Sequence, residues 1–223
     1  MNSLRKGEPE KTVTSDKDKR GIMLVVSAPS GTGKTTLCRK LLSLLPNLHF
    51  SISYTTRPPR VREVDGRDYH FVSHEEFTRR EREGEFLERE EVFGNLYGTS
   101  RRDIMDILEK GDDILLDIDT KGAKSLKSAC GNEAVFIFIL PPSLQTLKER
   151  LTGRGSENEA SIARRLERAA DEIDDNYWYD YIVFNDKIES SVSIVESIYV
   201  AEKHKRIRQL DKVAAVIGTE GGK

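Results

Sequence analysis

The chain has 223 residues, of which 37% are hydrophobic and 33% charged, and a formal net charge of −2. That length allows one large domain or a core carrying insertions, and the near-balanced charge argues against a general polyanion binder, so that basic residues have to be judged locally. Two cysteines, Cys38 and Cys130, without C-x-x-C or Cys/His spacing, indicate neither a zinc site nor a disulfide framework.

Residues 1–20 mix charged residues with Ser and Thr, hold almost nothing apolar, and read as a disordered tail. Glu8, Glu10, Asp16 and Asp18 do not suit a transit peptide, and no apolar run suits a secretory signal. The longest apolar stretch, residues 134–140, is far too short to span a bilayer. A cytoplasmic, reducing location is expected.

Residues 22–26, Ile-Met-Leu-Val-Val, form an unbroken apolar run of the kind that makes a strand buried on both faces. Leu37, Leu41, Leu42, Leu44 and Leu45 then fall at helical spacing. Between them lies Ser27-Ala28-Pro29-Ser30-Gly31-Thr32-Gly33-Lys34-Thr35-Thr36, which has the chemistry of a phosphate-binding loop. A strand-to-helix turn leaves backbone N–H groups unpaired, and glycines let that backbone curl around a phosphate. Lys34 reaches the β and γ phosphates and the Thr35 hydroxyl suits Mg²⁺. Ala28 stands where the motif has its first Gly. The plainer reading, a glycine-rich turn into an ordinary helix, leaves the preceding strand and the Gly33-Lys34-Thr35 run as coincidences.

Residues 49–54 alternate like a strand. In Thr55-Thr56-Arg57-Pro58-Pro59-Arg60, two prolines stiffen a loop that carries two guanidinium forks, a layout suited to a phosphate dianion and equally to a solvated basic loop. Residues 61–99 lack a βαβ rhythm and suggest a small α+β insertion. They contain a strand-like 69–72, a helix from a capping box at Ser73 and Glu76 to about Glu83, two short strands at 86–88 and 91–93, and a turn at 94–99. A helix over 100–110 precedes the apolar strand 113–119, which ends in Asp117 and Asp119, where a Walker B carboxylate belongs. Next come a helix to Cys130, the apolar strand 134–140 and a helix over 144–151. The rhythm predicts a parallel sheet with helices on both faces and ligands at the strands' carboxyl ends. Residues 152–157 form a Gly-flanked loop, followed by a helix with Arg164, Arg165 and Arg168. A mobile cationic lid and an ordinary surface helix with Arg/Glu pairs both fit. Residues 177–181 are an aromatic cluster that suits a core edge, before a strand at 181–184 and a final helix over about 190–209.

Taken together, several segments resemble guanylate kinase from about Gly21 to Lys205. They are Ser-Ile-Ser-x-Thr-Thr-Arg-x-Pro-Arg at 51–60, Phe-Leu-Glu at 86–88, Gly-Asn-x-Tyr-Gly-Thr at 94–99, Leu-Asp-Ile-Asp at 116–119 and Gly-Arg-Gly at 153–155. The resemblance implies an α/β P-loop NTPase core with a parallel sheet flanked by helices, a small α+β insertion that binds the nucleoside monophosphate, and a helical lid. Its boundaries are core 21–51, 101–142 and 170–205, insertion 52–100, lid 143–169, and a C-terminal extension 206–223.

It further implies Mg²⁺-dependent transfer of the γ-phosphoryl of ATP to GMP. Ala28 to Thr36 would cradle ATP, and Thr35 and Asp117 would serve Mg²⁺. The phosphate of GMP would fall to Arg57, Arg60, Tyr69 and Tyr97, and the guanine to Ser53, Glu88, Thr99 and Asp119. Lys34 with the lid residues Arg150, Arg154 and Arg165 would carry catalysis, leaving Arg164 on the surface. A carboxylate that accepts from both N1–H and N2–H₂ favours guanine over adenine by about 1–3 kcal/mol. The partners implied are ATP and GMP, with no nucleic acid or membrane, as monomer or homodimer. Leu96, Thr120 and Lys121 depart from the family's usual residues. An inactive guanylate-kinase-like binding module and a kinase of other base specificity are the alternatives. Lys34, the lid arginines and Glu88 argue against both.

Overall fold

A computed structural model describes residues 20–92, 94–153, 159–216 and 218; the disordered tail expected over 1–20 lies, except for Arg20, outside them. The apolar run at the start becomes β1 (Met23–Ser27), every residue of which is buried. It lies at the centre of a five-stranded sheet in the order β2 (Leu48–Phe50), β7 (Asp113–Asp117), β1, β8 (Ala134–Leu140), β9 (Tyr181–Phe184). All the pairings are parallel, as the βα rhythm predicts.

Because successive side chains of a strand point to opposite faces, β1 feeds two cores. Leu24 and Val26 pack with Leu37 and Leu41 of α1 (Lys34–Leu44) and with Val192, Val195 and Tyr199 of α7 (Ile188–Lys203). Met23 and Val25 pack on the other face with Ile104 and Leu108 of α3 (Arg101–Glu109) and with Ala123 and Leu126 of α4 (Thr120–Cys130). Each fully buried aliphatic side chain contributes about 1.5–3 kcal/mol relative to exposure, which makes this double-faced strand the anchor of the fold.

A second, four-stranded sheet has the order β4 (His70–Phe71), β3 (Tyr54–Thr55), β6 (Asn95–Ser100), β5 (Phe86–Val92). Here β3 and β4 are parallel and the other pairs antiparallel. Helix α2 (His74–Arg82) covers it, with Phe77 wholly buried and stacked on Phe86 at 4.6 Å. Farther along, α5 (Leu144–Thr152) and α6 (Glu159–Asp174) close on a small core of Leu147, Leu151, Ile162 and Ala169. The last elements among the described residues are a 3-10 turn at Arg206–Gln209 and α8 (Leu210–Val216).

Several expectations need correction. The alternating run 49–54 is two strands in two sheets, because residues 51–53 leave the large sheet to start the small one. The two short strands at 86–88 and 91–93 are one strand, β5, and the turn expected over 94–99 is its hairpin partner β6; Phe93 lies outside the described residues. Charged residues within β5 hid a strand whose alternate side chains are exposed. At α2, Ser73 Oγ accepts from Glu76 N at 3.1 Å, but the Glu76 carboxylate bonds Arg79 and Arg80 instead of completing the box. The helix expected over about 190–209 is α7, which stops at Lys203, six residues before the expected end at Gln209. The aromatic cluster does pack on the core edge: Trp178 and Tyr179 stack at 3.8 Å, and Tyr179 lies on Phe138 at 4.3 Å.

Asp113 ties these parts together. It is 2% exposed and accepts from Ile22 N at 2.7 Å, from Tyr199 Oη at 2.5 Å and from Lys203 Nζ at 2.5 Å, joining β7 to the entry of β1 and to α7. Asp113→Ala orphans three donors and is expected to lower unfolding free energy in urea by about 3 kcal/mol. Glu76→Ala on exposed α2 is expected to cost under about 1 kcal/mol; equal losses would refute this ranking.

Candidate active site

The loop after β1 turns through Gly31 (φ 99°) and Gly33 (φ 98°), a region of backbone space that favours glycine. Gly31 is also crowded: a Cβ there would lie 2.7 Å from Leu151 Cδ2, so α5 rests directly on the loop. Gly33 caps α1 without a side-chain hydrogen bond, which leaves the helix's first N–H groups for an anion. Ala28 is buried and, among the described residues, only Arg62 combines a side chain with positive φ, so Ala28 fits without strain. Thr32 Oγ1 donates to Pro29 O at 2.7 Å and closes the turn.

Parallel register sets Val26 beside Asp117. Lys34 Nζ, at the start of α1, therefore forms an ion pair with Asp117 and donates to Ile118 O at 2.6 Å. Thr35 Oγ1 donates to Asp117 Oδ2 at 3.2 Å. On the other side of the loop, Arg150 donates to Thr32 O at 3.2 Å and to Asn185 O at 2.9 Å, and Arg165 Nη1 donates to Ser30 Oγ at 3.2 Å. Arg164 is exposed, as expected, and Arg154 lies outside the described residues. Thus Lys34, Thr35, Asp117, Arg150 and Arg165 converge on the phosphate loop.

A cleft of about 830 Å³ opens beside it, lined by Thr35 and Asp117 on one side and Ser53, Arg60, Glu63 and Tyr69 on the other. Arg57 Nε donates to Tyr97 Oη at 3.2 Å, its Nη2 donates to both Glu63 oxygens at 2.9 Å, and its guanidinium lies 5.5 Å from the Tyr69 ring centre. The Arg60 N–H also donates to Glu63, at 2.7 Å. Sequence reading overlooked Glu63, although an acid three residues after Arg60 was a signal. Cys38 also lines the cleft, but burial pushes its thiol far up, which leaves it an inert packing group.

Glu88 and Thr99 face each other across β5 and β6 and are nearly inaccessible. Thr99 Oγ1 donates to Glu88 Oε1 at 2.6 Å. Asp119 caps α4, where Oδ1 accepts from Gly122 N at 2.8 Å; its Oδ2 is buried without a hydrogen-bond partner among the described residues. Ser53 lines the cleft with Arg60 and Tyr69. Burial pushes the Glu88 carboxyl up to about 7, against the opposing pull of the Thr99 hydrogen bond and with further upward push from the Asp119 and Glu90 charges. Arg168, which the site reading passed over, lies 3.9 Å from Asp119 Oδ2 and lines a smaller cleft of about 250 Å³ with Ser30, Lys34 and Arg165.

A central parallel strand that feeds a phosphate loop, with Asp117 ending the neighbouring strand, defines a P-loop nucleotide kinase. A family model described as guanylate kinase matches residues 20–202. Guanylate kinase of Geobacter metallireducens is 46% identical over 195 residues, covering 87% of this chain and 96% of that protein. That of Clostridioides difficile is 48% identical over 187 residues, covering 84% and 91%. The crystal structure of guanylate kinase from Anaplasma phagocytophilum matches with a TM-score of 0.74 at 37% identity, covering 90% of this chain and 96% of that one. The chain belongs to the guanylate kinase family, and it is an enzyme of the phosphotransferase class. No helix among the described residues is long and apolar enough to cross a membrane.

A carboxyl held at about 7 when folded and near 4.5 when unfolded takes up a proton on folding, so stability falls as pH rises from 4.5 through 7. Replacing it by an amide removes that dependence. Thermal melts are expected to show Glu88→Gln gaining on the parent between pH 5 and 8 by up to about 3 kcal/mol; parallel curves would contradict a buried, neutral Glu88.

Proposed function

We propose that this chain transfers the γ-phosphoryl group of ATP to GMP, giving ADP and GDP. The observation that carries the reading is a shared cleft: Thr35 of the phosphate loop lies across from Ser53, Arg60 and Tyr69, so donor and acceptor phosphates would meet there. Residues 28–36 would bind the donor phosphates through backbone N–H groups, with Lys34 leaving Asp117 for the β and γ phosphates. Arg57, Arg60, Tyr69 and Tyr97 would hold the acceptor phosphate, while Ser53, Glu88, Thr99 and Asp119 would recognise the guanine. Residues 52–100 then form the acceptor-binding part and 143–169 the lid.

An oxygen of the GMP phosphate attacks the γ-phosphorus as the bond to the ADP oxygen breaks, so the protein's task is in-line positioning and neutralisation of charge. Arg150 and Arg165 are tied to the P-loop through Thr32 O and Ser30 Oγ, within reach of phosphates bound on its N–H groups. Arg154 joins them in this proposal. Lid closure excludes water and with it wasteful hydrolysis.

Thr35 Oγ1 and Asp117 Oδ2 are hard oxygen donors 3.2 Å apart, a set that suits Mg²⁺, which takes few protein ligands beside substrate phosphates. Thr35 and Asp117 would hold the ion, and the chemistry supplied there would be neutralisation of phosphate charge.

ADP release from Mg·ATP is to be measured with GMP, AMP, dTMP or no acceptor. Turnover with GMP and little with the others is expected, and Lys34→Ala should lower kcat/KM by about 10²–10³-fold. Preference for another monophosphate would overturn the base assignment. No turnover with any acceptor would leave a binding module as the better reading.

A further inference from the structure

Gly122 lies in the first turn of α4 at an ordinary helical conformation, where glycine costs about 0.5–1 kcal/mol relative to alanine. No left-handed backbone accounts for it. Space does: a Cβ at this position would lie 2.8 Å from Glu88 Oε2, 3.4 Å from Glu88 Cδ and 3.3 Å from Asp119 Oδ1.

We propose that Gly122 is a positioning residue for base selectivity, whose N–H holds Asp119 Oδ1 and whose missing side chain leaves the room in which the Glu88 carboxylate sits. This rests on the reading of GMP as acceptor. Glu88 has little freedom to swing aside, since Oε1 is held by Thr99 at 2.6 Å and the residue is 8% exposed. On the other carboxylate, the Gly122 N–H occupies Oδ1 at 2.8 Å and leaves the buried Oδ2 as the oxygen open to a ligand donor. One glycine thus sets two carboxylates side by side at a helix N-terminus, where the helix end also offsets part of their repulsion. Such a pair accepts from a base edge rich in donors, and guanine's N1–H and N2–H₂ make one.

An alanine keeps the N–H and adds only the Cβ, so Gly122→Ala isolates the space requirement. Steady-state kinetics are to be compared for GMP and for IMP, which lacks the 2-amino group. The variant is expected to raise KM for GMP by at least about tenfold, the scale of one good base contact. KM for ATP should stay within twofold, and the GMP/IMP ratio of kcat/KM should fall at least fivefold. A residue needed only for folding would lower the amount of active enzyme without moving that ratio. Lys121→Ala, at the exposed neighbouring position, should leave the ratio as it was.

Shortening the crowding partner supplies a second test. Added to Glu88→Asp, Gly122→Ala should cause little further loss, because the carboxylate has drawn back from the new methyl. If Gly122→Ala alone fails to fold, recovery of folding in the double variant supports the proposal and continued failure overturns it. An unchanged GMP/IMP ratio, an equal fall in Lys121→Ala, or fully additive losses would also overturn it. Absence of GMP turnover in the parent enzyme would instead bring down the functional reading on which it rests.

Discussion

The contact between Lys34 and Asp117 depends on the parallel pairing of β1 with β7, and the site depends on that contact. A parallel sheet sends all its carboxyl ends to one edge, so the loop after β1 and the carboxylate ending β7 meet without any local sequence requirement. A shift of one residue in register would turn Asp117 to the other face and Ile118 toward the loop. The double-faced burial of β1 guards against that shift, since its residues fit different cores on either side.

The pairing of Glu88 with Asp119 rests on different physics. Two carboxylates, the buried Glu88 and the partly exposed Asp119, sit close together, an arrangement that desolvation of Glu88 and mutual repulsion oppose. Thr99 donates to one and the start of α4 donates to the other, so each carries at least one compensating hydrogen bond. The remaining strain appears as the raised affinity of Glu88 for a proton. N–H donors placed against the two carboxylates would relieve it.

Two arginines of α5 and α6 engage groups of the phosphate loop: Arg150 donates to the Thr32 carbonyl and Arg165 to the Ser30 hydroxyl. A neutral carbonyl or hydroxyl holds a guanidinium less strongly than a carboxylate does. Leu151 packed on Gly31 carries the helix that bears Arg150 against the same loop, which links the small core between α5 and α6 to that loop.

Much of this was legible in the chain itself. Residues 22–26, 114–116 and 134–140 are apolar on both faces, and burial on both faces requires flanking helices, which fixes a parallel α/β core. The glycines and Lys34-Thr35 name the phosphate loop by their chemistry. Local pattern failed where charged residues alternate on a half-exposed strand, as in β5 and β6, and where one alternating run divides between two sheets at residues 51–53. It also could not reveal that Gly122 stands against Glu88, 34 positions earlier in the numbering. Periodicity and propensity report on neighbours within a few residues. Which carboxylate meets which cation or backbone N–H is set by packing between elements far apart in sequence, and only the tertiary structure decides it.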